Sequence, residues 1–250
     1  MMDAYIVTGA SKGIGQALCR QLSRSGHFVI GIARSQSKEW SGKRFFVFDL
    51  ARLLEIPRLM ADIAEGLPED VQRITLINNA GTVEPIGFSD NNDPEAIQAN
   101  INLNLTAPMI LCSAFIAQFK SKECEKAIVN ISSGAARKIY QGWSAYCASK
   151  AGLDHYSRVL DAEGADVKVV SIAPGIIDTD MQAQIRESNA EDFPLLGRFR
   201  DYKDTGILST PEETAAELIG LMGRSDFRLL DPVLDLRTLP PYEKEGTSDQ

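Results

Sequence analysis

Short apolar runs recur along the chain at residues 4–7, 28–32, 45–48, 74–77, 128–131 and 167–172, with longer stretches of helical spacing between them. Several runs are apolar on consecutive residues, the pattern of strands covered on both faces. Strands alternating with helices pair in parallel through right-handed crossovers. The pattern therefore predicts an α/β fold, a doubly wound parallel sheet. The rhythm breaks across 176–210, where Phe193, Leu195, Leu196 and Phe199 stand among polar residues, and this stretch reads as a lid inserted after the sixth strand. Pro211, Glu212 and Glu213 then have the composition of a helix's first turn. Residues 1–240 read as one domain, and 241–250, without an apolar pattern, as a mobile tail.

Composition supports a single core: 250 residues with 44% hydrophobic and 24% charged suffice for one α/β domain. A formal net charge of −8 argues against a nucleic-acid partner, which calls for clustered positive charge. Cys19, Cys112, Cys124 and Cys147 are far apart and form no CxxC pair, so reduced thiols in a cytoplasmic protein are expected. The amino terminus shows no export signal, and the absence of eighteen uninterrupted apolar residues predicts no membrane span. His27 and His155 are the only histidines and lack a partner set, so no catalytic metal is expected.

Candidate chemistry begins after the first run, at Thr8-Gly9-Ala10-Ser11-Lys12-Gly13-Ile14-Gly15, followed by a helical pattern. Glycines at a strand-to-helix turn let the backbone approach a pyrophosphate, which the free N–H groups of the helix start stabilise. A glycine-rich turn alone is weak evidence; its place between strand and helix strengthens it. At the end of the second strand stands Arg34 rather than a carboxylate, and Lys12 lies inside the loop. Two cations there favour NADP(H) over NAD(H), through the 2′-phosphate. The alternative is that both are ordinary solvated cations.

Tyr146 and Lys150 are spaced to share one helix face. A neighbouring ammonium lowers a phenol's pKa and makes it a usable proton exchanger. Such a pair alone is more often structural, but Ser133 closes the preceding strand and offers a hydroxyl to a developing alkoxide. Strand alternation sends Ser132 to the opposite face.

The glycine pattern and the serine, tyrosine and lysine in this order resemble the short-chain dehydrogenase/reductase superfamily, along nearly the whole chain. Asn78-Asn79-Ala80-Gly81, Asn104 in Asn-Leu-Thr-Ala-Pro, and Pro174-Gly175 fit the same resemblance. It implies a Rossmann-type fold with Ser133, Tyr146, Lys150 and Asn104 as catalytic residues. Asn104 would hold a water linking Lys150 to solvent, with Asn102 the competing asparagine. The cofactor would lie along Gly9, Ser11, Lys12, Gly13, Ile14, Gly15, Arg34, Asp49, Leu50, Asn79, Ala80 and Gly81, and along Tyr146, Lys150, Pro174, Gly175, Ile177 and Thr179. Read without the resemblance, the last four are a turn followed by a lid.

Gly142 to Cys147 and Asp178 to Gln182 resemble the sepiapterin reductase branch, and 181–186 resembles the benzil reductases that form (S)-benzoin. The resemblance implies hydride transfer from NADPH to a ketone or diketone, and a homodimer or homotetramer. A late carboxylate that would anchor a pterin does not register cleanly on Asp231 or Asp235. Ser133, Trp143, Tyr146 and Met181 are the expected substrate contacts, although Trp143 reads equally as plain packing. The rival readings are an NAD(P)-linked alcohol dehydrogenase working oxidatively, and a non-catalytic dinucleotide sensor.

Overall fold

Residues 2–164 and 166–239 are described in a computed structural model of the chain; the tail expected at 241–250 lies outside them. Seven parallel strands form one sheet in the order β3-β2-β1-β4-β5-β6-β7. These are β1 (Ala4–Thr8), β2 (Phe28–Ala33), β3 (Arg44–Val47), β4 (Arg73–Asn78), β5 (Glu125–Ile131), β6 (Lys168–Ala173) and β7 (Val233–Asp235). The protein is thus a single α/β domain with a Rossmann-type doubly wound sheet. All six expected strands are present, with ends shifted by up to a few residues. The seventh carries too short an apolar run to stand out in the sequence, and pairing with Ser171, Ile172 and Ala173 fixes it.

Alternation along β1 explains the two layers of core. Ala4 and Ile6 point to one face, beside Ile30, Leu76 and Ile128, against α2 (Ile56–Ala64) and α4 (Ala107–Phe119). Tyr5 and Val7 point to the other, beside Val29, Ile77 and Val170, against α1 (Gly13–Arg24) and α8 (Pro211–Met222). Each wholly buried leucine or isoleucine in these layers contributes about 2 kcal/mol. His27, expected to be incidental, accepts a hydrogen bond from the Asp3 N–H at 3.3 Å and packs edge-on against Tyr5.

Helix α3 (Pro94–Ile101) runs into α4 through a π-helical turn at Asn102–Thr106. The continuous helix Pro94–Phe119, 26 residues, is by length and composition apolar enough to cross a membrane, although it holds no run of eighteen uninterrupted apolar residues. Its Leu111, Cys112 and Phe115 are fully buried in the core, so packing accounts for that apolar content.

The stretch 176–210 is more ordered than its sequence suggests. It holds α6 (Asp180–Glu187) and α7 (Leu196–Asp204), and its ends are joined where Ile177 pairs with Ser209. Both helices are polar on most faces, which hid their period. Phe193, Leu196 and Phe199 bury against Trp143 and Tyr146 at the start of α5 (Ser144–Ala162), forming a third, aromatic core.

Candidate active site

The strand order turns at β1 and β4, so the loops leaving their carboxyl ends diverge and open a crevice. Thr8 ties the two loops together: its hydroxyl accepts from the Asn79 N–H at 2.9 Å and the Ala80 N–H at 3.0 Å. Gly9 and Gly13 have φ of +67° and +56°, the left-handed region that disfavours side chains. At Gly15 a Cβ would lie 2.3 Å from the Gly9 carbonyl oxygen, so only glycine fits. Lys12, the residue before α1, makes no side-chain cap, leaving the first N–H groups of that helix to face an anion. The donor set and the glycine cradle fit a dinucleotide pyrophosphate.

Lys12 and Arg34 are both exposed. Lys12 is paired with Asp180 at 2.8 Å, and a Cβ on Gly13 would touch Thr179 at 3.5 Å, so the start of α6 lies against the glycine loop. Thr179 also caps α6, accepting from the Gln182 N–H. Asp49 is exposed and accepts from the Ala51 N–H, whereas Leu50 is 6% exposed and belongs to the hydrophobic core. Ile177 is buried at the neck of the inserted stretch, and Gly175 has φ +98° beside Pro174.

On the other side of the crevice the four expected catalytic residues lie close together. Ser133 begins a short 3-10 turn, accepting from the Ala135 N–H at 3.2 Å. Its hydroxyl lies close enough to the Tyr146 phenol to lower that group's pKa, and Tyr146 is 7% exposed. Ser132 has a buried hydroxyl with no partner among the described residues. Lys150 Nζ donates to the Ile131 carbonyl at 2.8 Å and lies 5.8 Å from the Tyr146 ring centre. Asn104 is fully buried in the π-helical turn; its amide donates to the Thr82 carbonyl at 2.8 Å, and its oxygen accepts from the Thr82 N–H at 2.9 Å. A Cβ on Gly81 would lie 2.9 Å from Asn104 Oδ1 and 3.7 Å from Lys150 Nζ, which brings the Asn79–Gly81 loop beside both. Asn102, the competitor, is the half-buried first residue of the turn.

The electrostatics correct one expectation. Burial pushes the Tyr146 phenol up to about 12, and the Ser133 hydrogen bond offsets this only in part. Burial also lowers Lys150 to about 8 against the opposing charge of Asp154. Lys150 was expected to lower the phenol; it does not figure among the causes of the shift, and desolvation sets the direction. The neutral phenol is the form that donates a proton.

Trp143 is 4% exposed and stacks on Phe193 with centroids 4.7 Å apart, so it backs the site within a packed aromatic group. Met181 packs against the same group. Asp231 is exposed, and Asp235 is engaged by Arg237 at 2.9 and 2.6 Å. Sequence reasoning missed three residues here. Thr8 was visible in the motif but had no signal of its own. Asp154, buried and bonded to Ser171 and Arg137, shares a helix face with Lys150 by its spacing. Arg237 packs beside Gly134 and Gly175, a contact that only the fold creates.

The model of the short chain dehydrogenase family matches residues 3–190. The chain is 41% identical over 239 residues to a benzil reductase ((S)-benzoin forming) of Bacillus subtilis, covering 92% of this chain and 98% of that one. It is 36% identical over 242 residues to the sepiapterin reductase of Mus musculus, covering 89% and 92% of the two chains. The crystal structure of the KRED1-Pglu enzyme superposes with a TM-score of 0.82 at 30% identity, over 93% of this chain and 99% of that one.

Proposed function

The chain belongs to the short-chain dehydrogenase family of oxidoreductases, and from that premise we propose that it reduces a ketone or vicinal diketone with NADPH, Tyr146 supplying the proton. The observation that carries this reading is the buried Tyr146 beside the Ser133 hydroxyl, with Lys150 and Asn104 alongside. When bound, the reduced nicotinamide supplies the hydride. Ser133 donates to the carbonyl oxygen and favours charge developing there. Tyr146, neutral near pH 7, passes its proton to that oxygen. Lys150 draws a replacement proton toward the phenol and holds the ribose, and Asn104 positions water behind Lys150.

Preference for NADPH over NADH is supported by Arg34 and Lys12 and by the lack of a carboxylate at the end of β2. A diketone rather than a pterin is supported by the likeness to benzil reductase and by the engagement of Asp235 with Arg237. The stretch 176–210 serves as the lid, its aromatic side chains meeting Trp143 and Tyr146. A cytoplasmic setting suits four free thiols. The chain assembles as a homodimer or homotetramer through α4 and α5, where Met109 and Val159 are exposed.

The test follows NADPH absorbance with benzil, sepiapterin and simple diketones, with NADH in parallel. Oxidation of NADPH with benzil or a diketone is expected, and Tyr146→Phe should lower kcat at least about a hundredfold while leaving NADPH affinity within about twofold. Retained turnover in that variant, or equal use of NADH, would overturn the corresponding part of the proposal. An alcohol dehydrogenase working oxidatively would show the stronger rate with alcohols and oxidised cofactor, and a sensor would bind NADPH without turnover.

A further inference from the structure

The residues of the proposed reaction lie at the carboxyl ends of the strands. At the opposite end, the first residues of β4, β5 and β6 and the turn after α8 line a cavity of about 250 Å³, where Arg73, Lys126, Lys168, Arg224 and Arg228 meet a single lining carboxylate, the exposed Glu125. Most of these cations have their own partners. Arg73 bonds Asp3 at 3.0 Å, the Tyr5 hydroxyl and the Met222 carbonyl. Lys168 bonds the Leu230 carbonyl at 2.6 Å and Asp161 at 3.2 Å. Arg224 grips Asp226 through two bonds of 2.8 and 2.7 Å.

Lys126 and Arg228 are different. Lys126 has a side chain only 4% exposed, and its one bond among the described residues is to Asp166 at 3.3 Å. That carboxylate is 80% exposed and is shared with Arg228 at 3.8 Å. An ammonium carries three N–H donors, and burying it without full compensation is costly. A solvated surface carboxylate compensates little. Asp166 reaches both cations from a residue with φ +55°, in the turn that precedes β6.

We propose that this cavity binds a small oxyanion of the phosphate class, carrying at least two charges, with Lys126 and Arg228 as its principal ligands and Asp166 as the internal anion that it displaces. Lys126 and Arg228, which share one exposed carboxylate, supply the positive field in this cavity, and the Arg228 fork matches a tetrahedral oxyanion. The site lies across the sheet from the crevice and is independent of the reaction proposed there.

The experiment is calorimetric titration of inorganic phosphate into the full chain saturated with NADP⁺, against chloride at matched ionic strength, so that the phosphate-binding part of the crevice is already filled. One saturable site is expected. Arg228→Ala, at a half-exposed position that leaves the fold intact, should weaken binding about tenfold. Asp166→Asn, which tolerates the same backbone conformation, should tighten it severalfold, since the competing carboxylate is gone. A merely structural ion pair would not give that gain. Absence of a saturable heat, or heats unchanged in both variants, overturns the site whatever the turnover assays show.

Discussion

Lys150 is a charged group held at 5% exposure, and that burial has a thermodynamic signature. Its folded-state pKa, about 8, lies below the ordinary 10.5, so folding penalises the protonated form. Below pH 8 both states are protonated and the folded state bears the whole penalty. Between pH 8 and about 10.5 the folded state releases its proton first, and the penalty fades. Lys150→Met should therefore raise stability near pH 7 by about 2 kcal/mol, after the lost Ile131 hydrogen bond, and the gain should vanish at about pH 9.5 and reverse above it. Urea unfolding of both proteins at several pH values checks this; an unchanged or lower stability at pH 7 would refute it. Destabilisation stored at a site is the usual companion of function. The spacing of Tyr146 and Lys150 was legible in the sequence because it is a helix repeat. The direction of their pKa shifts was not, because it depends on which layers cover them.

Among the elements, those with a run of apolar residues announced themselves, and those that bury only isolated apolar positions stayed hidden. The strands that became β1 through β6 read as apolar runs, whereas α6 and α7, with Asp178, Arg186 and Lys203 paired around them, show little period. The start of α8 was readable from Pro211 and the two acids behind it. The structure adds Thr210, whose hydroxyl accepts from the Glu213 N–H at 3.1 Å while the Glu213 carboxylate accepts from the Thr210 N–H at 2.8 Å. The Thr210 N–H and hydroxyl, both donating to it, hold the Glu213 carboxyl below its ordinary range. Because α8 packs on α1, the cap supports the core as well as the helix. Thr210→Ala should cost about 1 kcal/mol in a denaturant melt, with turnover little changed at saturating substrate.

For the whole molecule, the reversal of strand order at β1 and β4 sets where the crevice opens; alternating runs were enough to expect a doubly wound parallel sheet, but not its strand order. The proposed assembly through α4 and α5 is testable at the same scale. Light scattering should give a dimer or tetramer, and Met109→Glu combined with Val159→Glu should reduce it to monomer by desolvating charge at the contact. A monomeric parent protein would end that proposal. The helix Pro94–Phe119 carries one more consequence. Part of its cover, α5, lies later in the chain and packs on α3 and the π-helical turn, so during synthesis the helix leaves the ribosome before α5 exists. For that interval the nascent chain displays a segment that membrane-insertion and chaperone machinery would recognise. Substitutions that weaken the seat of α5 on this helix, away from Tyr146 and Lys150, should then act first on yield in the cell, through misrouting or degradation of the incomplete fold, and only second on the catalytic rate of the molecules that finish.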